Sequence, residues 1–180
     1  MKKYVLIVFL AVFSNLVFAQ VENDAPTMTK KEKRKAKTEQ QYKETKKLLE
    51  NKNFVLESDF LKSRRGVTYP VSSNLNFVKV DSSTAIIQIG SPWGYGPNGV
   101  GGVTAKGKIT KWVLKEDKKR NAFYLSMNVM TPIGIYDVNM TIGPSGGTLA
   151  RLTGLRSGRL TFDGDLVTAE NSRVYEGRSL

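Results

Sequence analysis

From Phe54 onward, apolar side chains recur at every second position, and this alternation limits the fold more than any other feature of the chain. "FVLESDF" sets Phe54, Leu56, Ser58 and Phe60 against Val55, Glu57 and Asp59. "FYLSMNVM" lines up Phe123, Leu125, Met127 and Val129; "YDVNMTI" lines up Tyr136, Val138, Met140 and Ile142; "LTF" adds Leu160 and Phe162. A period of two is that of a half-buried strand. Further strands are expected at Val67–Val71, Leu75–Val80, Ala85–Ile89, Val103–Leu114 and Thr148–Leu155. "KEDKKRN", "TP", "GPSGG", "LRSG" and "DGD" supply turns between them. No helical stretch separates the strands, and parallel pairing needs long crossovers, so the strands are antiparallel. About eight short strands must also hide their edges. The expected fold is therefore mainly β: an antiparallel barrel-like or strongly curved sheet over residues 52–180, with an N-terminal helix over one end or edge. A helix on one side of an open sheet is the alternative.

The first 51 residues follow other rules. Lys2 and Lys3 precede the apolar run Tyr4–Phe13, and Val17 and Ala19 are small residues suited to cleavage between Ala19 and Gln20. Residues 1–19 read as a secretory signal peptide, too short and too interrupted for a membrane-spanning helix. Removing them leaves 161 of the 180 residues, a length that suits one domain, in the periplasm or outside the cell. With no cysteine to acylate, the leader is not that of a lipoprotein. Residues 20–29 read as a linker. Thr29 and Glu32 form an S/T-x-x-E capping box, so a charged helix is expected over 30–51, ending at Asn51 or Asn53. Tyr42, Leu48 and Leu49 fall on roughly one face of it.

The formal charge is +12, which favours anionic partners without deciding the fold. Lys30, Lys31, Lys33, Arg34, Lys35 and Lys37 form a cluster able to meet lipid phosphates or acidic glycans; a solvated helix face is the favoured reading. Nucleic acid is a poor partner for an exported chain. The chain has neither His nor Cys, which removes thiol nucleophiles and ordinary zinc or copper sites. Gly94, Gly96 and Gly99 spell G-x-G-x-x-G, but a strand follows where a dinucleotide fold needs a helix. Gly143, Ser145 and Gly147 spell G-x-S-x-G without a histidine to activate the serine, between two strands. The carboxylates Glu57 and Asp59, and Asp163, Asp165 and Glu170, read as solvated or turn residues rather than as an acid/base pair or a calcium loop. No cofactor, metal or catalytic residue is expected.

The candidate site is "GSPWGYGPNGVGG", Gly90–Gly102, long for a hairpin connection. Trp93, Tyr95 and Asn98 would meet a ligand there or fold back as a plug over a barrel end. Strand spacing sets Trp112 with Lys106, Lys108 and Thr110, opposite Ile109 and Val113; it is either an outward contact residue or packs under the N-terminal helix.

"DSSTAIIQIGSPWGYGPNGVGGVTAKGKI", "KKRNAFYLSMNV", "YDVNMTIGPSGGTLARLTG" and "SGRLTFDGDL" together resemble an uncharacterised family of exported bacterial proteins, domain-of-unknown-function family 4251. The resemblance runs over nearly the whole chain and implies export and this architecture; it supplies no catalytic residue. The expected role is a non-enzymatic binding module for a lipid, a glycan or another anionic ligand. A structural or protein-interaction component of the cell envelope is the alternative.

Overall fold

A computed structural model describes residues 29–91, 96–154 and 158–180. The predicted signal peptide, its Ala19–Gln20 cleavage site and most of the predicted linker lie outside the described residues. The chain divides into two units, Met1–Arg34 and Lys35–Leu180. In the first, the capping box forms: the Thr29 amide donates to Glu32 Oε2 at 2.7 Å, and Thr29 Oγ1 accepts from the Glu32 amide at 3.3 Å. It opens helix α1, Lys30–Asn51.

The second unit holds nine strands: β1 Asn53–Lys62, β2 Thr68–Pro70, β3 Phe77–Asp81, β4 Thr84–Ile89, β5 Val103–Asp117, β6 Ala122–Thr131, β7 Gly134–Ile142, β8 Gly147–Gly154 and β9 Arg159–Val167. Each of β3 to β8 pairs antiparallel with its successor, and β9 returns to β1. Short β2 shares one edge of β1 with β3. The eight strands β1 and β3–β9 thus make a closed antiparallel barrel, the scaffold that the alternation required. Inward side chains fill it, among them Phe54, Phe123, Met127, Val138 and Phe162, all at most 1% exposed. Outward positions carry Lys106, Lys108, Lys111, Asp137, Asn139 and Arg151. That is the reverse of a membrane-spanning barrel, whose outer band is apolar. No helix among the described residues is long and apolar enough to cross a membrane.

Two β-bulges correct the sequence reading. The β1–β9 register slips between Ser58 and Phe60, so Phe60 turns outward, 45% exposed, and Leu61 turns in. The β5–β6 register slips between Ile109 and Lys111. Trp112 therefore does not share the face of Lys106 and Lys108. It pairs with Met127 and joins the interior cluster with Leu48 and Leu49, its ring 6.3 Å from that of Phe54 and 5.2 Å from Lys52 Nζ. An inserted residue reverses which side every following residue faces. Helix α1 ends at Asn51, one of the two expected stops, and Lys52 follows it with φ 50°.

The barrel's two ends differ. Near the β3–β4, β5–β6 and β7–β8 turns, α1 covers the opening. Leu49 is fully buried, Tyr42 stacks on Phe123 at 4.8 Å, and Tyr42 Oη and Lys46 Nζ donate to Glu116 at 2.6 and 2.8 Å. The other end is a mouth, ringed by the β1–β2, β4–β5, β6–β7 and β8–β9 connections.

Candidate functional site

The alternation that fills the barrel leaves its mouth lined with apolar side chains. Ile87 and Ile89 of β4, Val103 and Ala105 of β5, Tyr136 of β7, Leu152 of β8 and Leu160 of β9 enclose an open cleft of about 190 Å³. Thr153 and Arg159 stand at its edge. The Arg159 guanidinium also donates to the Arg64 carbonyl at 3.5 Å. The cleft is smaller than a typical site for a drug-sized ligand, ~300–1,000 Å³, and suits one ring or a short aliphatic segment. A wider groove of about 790 Å³ runs between α1 and residues 166–171, but Gln41, Glu44, Lys47, Asn51 and Asn171 line it, so water satisfies it well.

The Gly90–Gly102 loop leaves from this mouth, and its base is built rather than loose. Gly90 exchanges two hydrogen bonds with the Asn76 side chain, at 3.0 and 3.1 Å. Asn98 is 1% exposed and uses both polar atoms inside the loop. Its Nδ2 donates to the Ile89 carbonyl and Thr104 Oγ1, and its Oδ1 accepts from the Val100 and Gly102 amides. Asn98 therefore organises the base of the loop. Gly102 is required by close approach, since a Cβ there would sit 2.1 Å from the Ile89 carbonyl oxygen. Trp93 and Tyr95 lie outside the described residues.

The sequence reading missed what holds this base from outside. Residues 172–180 cross the outer face of β1, β3, β4 and β5. Glu57 accepts from Ser172 Oγ and the Arg173 amide. Gln88, fully buried, donates to the Leu75 and Tyr175 carbonyls and accepts from Thr104 Oγ1 and the Gly177 amide. The Arg178 amide reaches the Asn98 carbonyl at 2.9 Å. Val174 completes a second apolar cluster with Val55, Phe77, Ile86 and Val167. One signal was available: Gln88 interrupts the apolar run "AIIQI", and a buried amide needs partners. Segment 172–180 has no alternation to place it.

The remaining candidates lie on α1 and β9. Lys30, Lys31, Lys33 and Arg34 are exposed in the first unit, and Lys35 and Lys37 in the second. Asp163 pairs with Lys62 at 2.7 Å. Among the described residues no group of three carboxylates could hold a metal ion.

Fold and site thus define a helix-capped, closed antiparallel barrel with one apolar mouth. The family model described as "Domain of unknown function (DUF4251)" matches residues 36–166, and the chain belongs to that family. A DUF4251 family protein from Bacteroides eggerthii DSM 20697, whose crystal structure was determined at 1.95 Å, is similar to it with a TM-score of 0.65 and 27% identity. The similarity covers 81% of this chain and 99% of that one. No functionally curated protein matches the chain.

Proposed function

We propose that this is an exported, non-enzymatic binding protein that seats the apolar part of a small anionic amphiphile in the barrel mouth. Export is supported by the sequence of residues 1–19. The observation that carries the binding reading is the cleft itself: seven apolar or aromatic side chains around about 190 Å³, with Arg159 at the edge to meet a negative head group. The lining offers no carboxylate, imidazole or thiol to move a proton, which supports binding over catalysis. A glycan would demand polar partners deep in the cleft, and the walls there are aliphatic.

Each methylene leaving water contributes ~0.8 kcal/mol, so affinity should rise with chain length until the cleft is full. Calorimetric titration with straight-chain carboxylates from butyrate to decanoate tests this. The expected result is stepwise tightening followed by a plateau. Ala105→Leu, which fills the cleft, should bring the plateau to a shorter chain. Affinity indifferent to chain length, or unaffected by Ala105→Leu, would remove the mouth as the seat.

A further inference from the structure

We propose that the mouth end of the barrel docks onto the surface of an anionic lipid bilayer. This rests on the preceding reading only in naming where the ligand comes from; the docking surface stands on observations of its own.

The first is charge. The described connections at this end, residues 63–67, 71–76, 90–91, 96–102, 132–133 and 158, contain no Asp or Glu. They carry Arg64 and Arg65, and Arg159 opens β9 beside them. The helix-covered end mixes both signs, with Glu50, Asp81, Glu116 and Asp117 among Lys46, Lys52, Lys118, Lys119 and Arg120. The second is exposed apolar surface on the same rim. Tyr69 is 54%, Met130 51%, Ile135 44% and Ile133 43% exposed. Ile133 lies at the β6–β7 turn, where Pro132 precedes it. Met130 pairs directly with Ile135 on one side and with Lys108 on the other, so one row across three strands reads Lys108, Met130, Ile135. The next row inward reads Lys111, Asn128, Asp137, and Asn128 donates to Asp137. Lys108 and Lys111 make no ion pair among the described residues; Lys106, closer to the mouth, lies 3.9 Å from Glu176.

Exposed apolar side chains beside Arg64, Arg65, Arg159 and Lys108 match the make-up of an anionic bilayer surface, where phosphates lie above the acyl chains. A rim cation near such a surface contributes about 1 kcal/mol, and apolar side chains add their transfer from water. A protein partner would present directional acceptors to the rim; a bilayer needs only charge and depth, which is what connections without Asp or Glu and scattered apolar tips supply. Docked this way, the mouth opens onto the acyl layer.

The absence of cysteine allows one reporter at a time. The full chain carrying Ile133→Cys, labelled with an environment-sensitive fluorophore, is mixed with vesicles of phosphatidylcholine alone or with 30 mol% phosphatidylglycerol. Ser83→Cys, exposed in the β3–β4 turn at the opposite end, is the companion. The rim label should shift to the blue with the anionic vesicles, weaken at 0.5 M salt, and lose at least tenfold in vesicle affinity with Arg64→Glu and Arg65→Glu, while the Ser83 label stays put. A shift at Ser83 alone, or none at Ile133, overturns the docking face. Insertion through residues 1–19 leaves both labels unchanged and counts against it. Carboxylate binding in solution without any vesicle response sinks this inference and leaves the binding site standing.

Discussion

The two ends of the barrel use the same strands to opposite effect. At the helix end, Tyr42, Thr45 and Leu49 stand on one face of α1, three and four residues apart, and close the interior. The polar rim of that closure is an interlocked set, with Tyr42 and Lys46 both donating to Glu116. At the mouth no element crosses the opening among the described residues, and polar bonding moves outside the barrel, where Gln88, Asn98 and Thr104 tie the loop base to segment 172–180. One end is stabilised by filling the interior; the other keeps its interior accessible and gains order from its outer face. The comparison shows how a small closed barrel combines a solid core with an open cleft: the helix stabilises one end so that the other can stay open.

Matched truncations test this most strongly. Leu49→Ala removes a fully buried side chain from the helix closure and should cost about 2–5 kcal/mol in urea unfolding. Val103→Ala at the half-open mouth should cost less than about 1 kcal/mol. Equal costs would mean that the ends are packed alike. Gly102→Ala comes next. The new Cβ meets the Ile89 carbonyl, so the loop must shift, at about 1–3 kcal/mol and with faster proteolysis within Gly90–Gly102. Gln88→Ala should be similar, about 1–3 kcal/mol, because it leaves the Leu75 and Tyr175 carbonyls, the Gly177 amide and the Thr104 hydroxyl without their partner. It should also raise hydrogen exchange in residues 172–180 while α1 stays protected.

The smallest effect concerns pH at the helix end. Hydrogen bonds from Lys46 and then Tyr42 hold the Glu116 carboxyl below its ordinary value of 4.5. Its contribution is present above that value and fades as pH falls through the lowered one. Partial desolvation, and then the bond to Glu116, pushes the Tyr42 hydroxyl up to about 12, so its share is complete below pH 10 and is lost as pH climbs through 12. The Tm gap between the wild type and Glu116→Gln should be a few degrees at most at pH 7 and should close at both extremes. A gap that widens in acid would assign Glu116 a different partner.

The barrel was legible because period two is written into nearly every strand, and closure follows from the need to hide edges. The bulges were not. An extra residue such as Thr110 changes no local pattern, yet it turned Trp112 from the lysine face to the interior. The site was half legible. Glycine spacing marked the β4–β5 connection, but nothing in it showed that Asn98 ties β4, β5 and the loop amides together. The cleft drew its walls from five strands, and no single window of sequence shows which inward residues share one level of a barrel. Segment 172–180 stayed invisible because its partners, Glu57 and Gln88, lie about 90 to 115 residues away along the chain.

Methyl-resolved NMR during titration with octanoate addresses the central claim most directly. Resonances of Ile87, Val103, Leu152 and Leu160 should move together and saturate, while those of Leu48, Leu49 and Val129 hold still. Movement centred on Leu48 and Leu49, or a saturating response with the mouth methyls unmoved, would contradict it.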